Sequence, residues 1–374
     1  MKKTIYFENL NALRFLCFLS VFFFHCFHTE YSELKDNHLY LFIKKDIFGN
    51  GNLGVNFFFV LSGFLITYLL LEEKVLRGQI HLKNFWKRRI LRIWPLFYLC
   101  LLFGFVAFPL LKQAFGQTPN ETANIIYYLT FLNNFDFINH GLPDASTLGV
   151  LWSVAIEEQF YLVWPLIIFF IPTRKLWIPF LIILLISLLF RTFNDSYVFH
   201  EYHTLSCIGD MVIGATGAWL VFTSAKFKTM VEKFNKFSVF VIYLLFLFIF
   251  LFRDEVLLSN YYLRIFERIL IAAVILFIIL EQNYSRNSFF KLSRLKYFSK
   301  LGIISYGLYC LHFIGILITI NITDRFQLNK ELWQVILLET SFALALTILI
   351  SWISYRFYEK PFLKLKEKFS QINR

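Results

Sequence analysis

LNALRFLCFLSVFFFHCFH, residues 10–28, has the length and apolarity of a membrane span, yet it carries Arg14 in its first half and His25 near its far end. A run of about 20 apolar residues crosses a bilayer as a helix, and an ionisable side chain at that depth costs several kcal/mol unless it has a partner or a task. Eleven positions separate the two residues. On a helix they therefore lie within about 20° of one face and about 16 Å apart along the axis. Snorkelling of Arg14 and an interfacial His25 would be the plain structural account.

The rest of the chain repeats the apolar pattern. Of 374 residues, 58% are hydrophobic and 49 are phenylalanine, with a formal net charge of +12. Soluble domains hold fewer apolar residues, so the composition indicates an integral membrane protein. Apolar stretches fall near 10–28, 53–71, 90–111, 153–171, 176–190, 203–223, 237–252, 263–281, 301–320 and 332–354. They predict an all-α membrane protein of about ten transmembrane helices. With the N-terminus inside, the expected inner segments hold 25 Lys and Arg and the outer loops 8. The positive-inside rule then puts both termini in the cytoplasm of a multi-pass protein of the plasma membrane. No linker or compositional break interrupts the spans, so residues 1–374 read as a single polytopic domain in the lipid bilayer. The basic residues sit at span ends, which argues against nucleic acid as a partner. Five cysteines, all in apolar stretches and without metal-type spacing, argue against disulfides and zinc.

The polar residues inside these spans carry the chemistry. LWSVAIEEQFYL, residues 151–162, enters the fourth span from the outside. Glu157 and Glu158 then lie about 6–9 Å below Ser153, at the depth of His25. A histidine oriented by a carboxylate is the usual general base near neutral pH. Pairing of a glutamate with Arg14, Arg191 or a backbone amide would be the structural alternative. NFWKRRILRIW, residues 84–94, sets Arg88, Arg89 and Arg92 at i, i+3 and i, i+4 spacing around the opening of the third span. Guanidinia and free helix amides there favour an anion, although basic residues at an inner boundary also follow from the orientation rule. Ser62 and Gly63 fall mid-span, where glycine permits close helix approach. Asp210 is an intramembrane charge with no evident local partner. Ser305, Tyr309 and His312 share a face of the ninth span, and Arg356 and Glu359 have the spacing of an ion pair. His200 and His203 form an H-x-x-H in a short loop that is not read as a metal site. With no G-x-S-x-G, P-loop or H-E-x-x-H in the chain, a serine hydrolase or nucleotide-driven pump has no support.

In order along nearly the whole chain, Arg14 with His25, GVNFFFVLSGFL (54–65), Arg89 with Arg92, LWSVAIEEQFYL, ISYGLYCLHF (304–313) and YRFYEKPF (355–362) resemble the motifs of the membrane acyltransferase-3 family. The resemblance implies ten core spans and a cytoplasmic acyl-CoA donor, with acetyl-CoA preferred. It implies O-acylation of a hydroxyl on an extracytoplasmic saccharide or polysaccharide, without a metal. His25 would be the catalytic residue and the pair Arg89 and Arg92 would lie near the donor; Arg14, assisting at the inner end, and Arg88, beside the pair, are further candidates. In the motif of Trp152, Ser153 and Tyr161 the first glutamate carries the family's role, so Glu157 ranks before Glu158. Asn56 departs from the acidic residue many members hold there, and the form expected is a stand-alone membrane domain without a soluble SGNH-type partner. His25, oriented by Glu157, would act either as general base on the acceptor hydroxyl or as a covalent acyl relay. The rival class is a proton-coupled transporter or glycan exporter with His25, Glu157 and Asp210 as its relay.

Overall fold

The computed structural model describes residues 7–369; Lys2, Lys3 and Arg374, which count toward the expected inner charge, lie outside them. A helix occurs at each apolar stretch: α1 (Glu8–Phe24), α2 (Leu53–Arg77), α3 (Leu82–Leu102), α4 (Leu151–Phe170), α5 (Trp177–Phe193), α6 (Thr204–Thr223), α7 (Lys236–Arg253), α8 (Tyr261–Tyr284), α9 (Ser305–Arg325) and α10 (Thr340–Ile353). No strand occurs among the described residues. Eight helical stretches are long and apolar enough to cross a membrane. The two outside that set are α1, which has 17 residues, and α8, which carries Arg264, Glu267, Arg268 and Glu281. Local sequence sets the helix ends: α2 stops at Gly78, whose φ of 74° is left-handed, and the Asn235 and Asn260 side chains cap the starts of α7 and α8.

α2 is the central helix and packs against α1, α4, α6 and α8. It meets α6 backbone to backbone. A Cβ on Gly63 would collide with the Met211 carbonyl, and one on Gly214 with the Val60 carbonyl, so both positions need glycine for the approach they make. At the periphery, α5 exposes Leu181, Ile182, Leu185 and Leu189, and α7 exposes Phe240, Leu244, Leu247 and Phe248. Such wholly apolar outer faces suit lipid.

On one side of α6 lies a buried ionic cluster. Arg191 pairs with Glu267 at 2.9 Å, and Arg253 with Glu267 at 2.7 Å and with Glu201. Arg268 pairs with Asp210 at 2.5 Å and with Glu201 at 3.4 Å. Three arginines therefore meet three carboxylates, and the cluster is neutral. Asp210, which looked isolated in the sequence, is thus paired; it also accepts from Asn56 Nδ2 at 3.0 Å. The 58 positions between Asp210 and Arg268 hid the partner. The expected Arg356–Glu359 pair does not form. Residues Ser354–Glu359 wind as a π turn, which takes i and i+3 off a common face. Glu359 accepts from Ser354 Oγ at 3.1 Å, and the Arg356 guanidinium lies over the Trp352 and Phe357 rings.

Candidate functional site

A cavity of about 320 Å³ runs between α1, α2, α3, α4, the short helix Lys296–Ile303 and the start of α9. Helical periodicity supplies its walls. Ser153, Glu157 and Tyr161 recur every four residues on α4; Val55, Phe59, Ser62 and Ile66 form a stripe on α2; and Ser305 and Tyr309 stand one turn apart on α9. Asn11 and Arg14 enter from α1, and Arg89 and Arg92 from α3.

The cavity holds three guanidinia and one lining carboxylate. Among the described residues none of Arg14, Arg89 and Arg92 forms an ion pair. Arg14 donates to Asn11 Oδ1 at 2.9 Å, and Arg89 sits 5.5 Å from the Phe85 ring centre and 5.4 Å from that of Tyr161, with its buried Nε unpartnered. Glu157 Oε1 accepts from Ser62 Oγ at 2.5 Å, and Ser62 Oγ accepts in turn from Tyr161 Oη at 3.0 Å. The chain Tyr161–Ser62–Glu157 fixes the carboxylate without neutralising the arginines. A surplus of positive charge in a low-dielectric cleft is an anion site.

Arg88 faces elsewhere. It pairs with Glu73 at 3.1 Å and donates to the Phe369 carbonyl at 2.9 Å, while Glu73 also accepts from the His81 amide at 2.9 Å. That interaction ties the end of α2 to the start of α3 and to the C-terminal segment, so Arg88 is not among the cavity arginines. Glu158 likewise turns away, accepting from Trp94 Nε1 at 2.8 Å with its other oxygen buried and unpartnered. Trp152 packs edge-on against Phe59 and Tyr202.

At the far end, Ser153 Oγ and Tyr309 Oη share a hydrogen bond of 2.7 Å. The Tyr309 carbonyl is 2.7 Å from His312 Nδ1. A carbonyl only accepts, so Nδ1 carries the proton and Nε2 is left bare; it is buried and has no hydrogen-bond partner. The His312 ring lies 5.2 Å from the His25 ring, centre to centre, and Phe313 lies 4.6 Å from His25. His25 follows the last residue of α1 and does not itself line the cavity. The Glu157 hydrogen bond goes to Ser62 rather than to His25, whose ring neighbours are His312, Phe313 and Phe24. The sequence pairs the two by expected depth alone; in the structure the azimuth of each side chain gives Glu157 to α2 and His25 to α9. Nothing in the sequence singles out Asn11 on the cavity wall or Trp94 beside Glu158, whereas Tyr306 on the same wall is one of the polar residues of the ninth span. Tyr306 lies within the ISYGLYCLHF motif, which was the signal for it.

His200 is buried with Nε2 3.0 Å from the Arg191 carbonyl, His203 Nδ1 accepts from the Leu205 amide, and no group suited to a metal ion occurs among the described residues.

The Acyltransferase domain family matches residues 7–356. The chain is similar to the peptidoglycan O-acetyltransferase OatA of Listeria monocytogenes, 29% identical over 381 residues that cover 96% of this chain and 56% of that protein. It is also similar to O-acetyltransferase OatA of Staphylococcus aureus, 39% identical over 130 residues that cover 33% of this chain and 21% of that protein. The chain thus spans about half the length of the Listeria relative, and nearly all of the chain takes part in the match. No solved structure matches.

Proposed function

The chain belongs to the Acyltransferase domain family, and from that premise we propose that it is a membrane O-acetyltransferase. It moves an acetyl group from cytoplasmic acetyl-CoA to a hydroxyl of an extracytoplasmic saccharide, with peptidoglycan as the acceptor class that the Listeria relative's name suggests. In this reading α1 and α8 complete ten spans, both termini are cytoplasmic and the membrane is the plasma membrane.

One contrast carries the reading. The structural arginines Arg191, Arg253 and Arg268 all have carboxylate partners, whereas the cavity arginines Arg14, Arg89 and Arg92 have none among the described residues. An unpaired buried charge is costly enough that it persists where a ligand needs it. The phosphates of a CoA ester are such a ligand, and Arg89 and Arg92 stand at the end of the cavity where a cytoplasmic donor would enter. The thioester arm would extend along the Glu157–Ser62–Tyr161 wall toward Ser153 and Tyr309.

There the acceptor oxygen attacks the thioester carbonyl carbon. His25 takes the hydroxyl proton, the C–S bond breaks, and the thiolate leaves to be protonated as free CoA. A carboxylate is not needed to hold His25, because His312, fixed through Nδ1, offers a bare Nε2 beside it. Attack by His25 itself, giving an acyl-imidazole, uses the same neighbours. The test is purified protein with acetyl-CoA and soluble peptidoglycan strands. Thiol release matched one-to-one by O-acetyl ester on the glycan supports the reading, and passage of glycan without ester formation rejects it.

A further inference from the structure

A second pocket, of about 330 Å³, opens beside the C-terminal end of α1. Phe24, the residue before His25, forms one wall, and the two rings meet edge-to-face with centres 5.0 Å apart. The other walls come from the segment preceding α2, through Asn50 and Asn52, from Tyr197, and from the end of α7, through Arg253 and Asp254. It is separate from the arginine-lined cavity and shares no lining residue with it.

Its chemistry is specific. Asn50 lines the pocket and is only 5% exposed as a residue; its side chain has no hydrogen-bond partner among the described residues, so its amide is open to whatever fills the pocket. An amide offers both a donor and an acceptor to a ligand there. Arg253 is held by Glu201 and Glu267 and donates to Asn52 Oδ1 at 3.3 Å, so its charge is cancelled and its position fixed before any ligand arrives. The pocket therefore presents amide, guanidinium and carboxylate groups without the surplus charge an anion would require. The faces of Phe24 and Tyr197 add apolar walls. Hydrogen-bonding groups of both kinds between aromatic rings suit a neutral polyhydroxyl ligand, and the size falls in the range of small-ligand sites.

We propose that this pocket is the saccharide subsite, holding a neutral hexose unit of the acceptor so that a hydroxyl of the same or the neighbouring unit reaches His25. The proposal rests on the acetyltransferase reading for its purpose and on the Asn50, Asn52, Arg253 and Asp254 arrangement for its ligand class. Positioning by preorganised side chains would lower the cost of binding a flexible glycan.

Binding is tested apart from catalysis. Soluble peptidoglycan strands are titrated into detergent-purified protein without acetyl-CoA, with glycerol phosphate as an anionic comparison, for wild type, Asn50→Ala and Asp254→Asn. Each substitution is expected to weaken strand binding about tenfold, the equivalent of one hydrogen bond. Acceptor KM in the transfer assay should rise in step while acetyl-CoA binding is unchanged. Asp254 is exposed, so Asp254→Asn answers the question if Asn50→Ala fails to fold. Strand binding unaffected by Asp254→Asn, or tighter binding of glycerol phosphate than of strands, overturns the proposal even if transfer is observed. Strand binding that both substitutions weaken, in a protein that transfers no acetyl group, upholds the subsite and rejects the acetyltransferase reading alone.

Discussion

Asp210 decides between an intramembrane proton carrier and a structural charge, and a mutant cycle with Arg268 separates the two. Asp210 is 0% and Arg268 2% exposed, and their bond of 2.5 Å is one link in a cluster of three arginines and three carboxylates. Asp210→Ala leaves that cluster with one excess positive charge and Arg268 with only Glu201, at 3.4 Å. Arg268→Ala leaves Asp210 with only Asn56, at 3.0 Å. Removing one partner of a buried pair costs about 3–5 kcal/mol. The double variant restores neutrality, so it should lie well above the sum of the two losses, with a coupling of about 1–3 kcal/mol. Thermal unfolding of the purified protein in detergent measures all four corners, and acetyl transfer per folded molecule is measured alongside. The structural account expects lowered unfolding temperatures for both single variants, partial recovery in the double, and transfer per folded molecule within a few-fold of wild type. If Asp210→Ala is as stable as wild type yet inactive, and Arg268→Ala does not compensate, Asp210 carries protons and the structural assignment is wrong.

The arginines at the start of α3 should divide by side. Arg89→Ala and Arg92→Ala should raise the acetyl-CoA KM at least tenfold with little loss of stability. Arg88→Ala should instead lower thermal stability, because Glu73 is left buried and unpaired, and should leave the acetyl-CoA KM unchanged. Gly63→Ala would drive a Cβ into the Met211 carbonyl, a backbone atom that cannot swing aside, so a loss of about 1–3 kcal/mol is expected in thermal unfolding. The loop pair Lys112–Asp144 sets a pH dependence. Burial alone would raise the Asp144 carboxyl, but Lys112 at 2.6 and 2.7 Å and the Asn120 amide at 3.0 Å hold it below its ordinary value of 3.8. A carboxyl depressed on folding adds stability above that ordinary value and loses it as pH falls through the lower, folded one. Unfolding followed across that acid range should therefore fall less steeply in Asp144→Asn than in wild type.

Apolar run length was enough to place a helix at every stretch from α1 to α10, because spacing along one chain carries that information. The cavity was partly legible too. Arg14, Arg89, Arg92, Ser62, Ser153, Glu157 and Tyr161 all line it, and depth, charge spacing or motif marks each of them in the sequence. Partner choice was not legible. Glu157 and His25 were matched by depth, which leaves the rotation of each helix undetermined, and α9 brought His312 to His25 instead. Asp210 found Arg268 through the contact of α6 with α8, a tertiary fact with no local trace. The spacing of Arg356 and Glu359 misled because a π turn changes the periodicity on which an i, i+3 argument depends.

The central claim is that an acetyl group passes from an arginine-lined inner cavity to an acceptor at His25 on the opposite side of the membrane. Proteoliposomes with acetyl-CoA sealed on the side of the Arg89 end and peptidoglycan strands on the side of His25 test it directly. Wild type is expected to acetylate the strands and release CoA only in that arrangement, and His25→Ala, inserted and folded, to do neither. Undiminished transfer by His25→Ala, or transfer with donor and acceptor confined to the same side, would contradict the account.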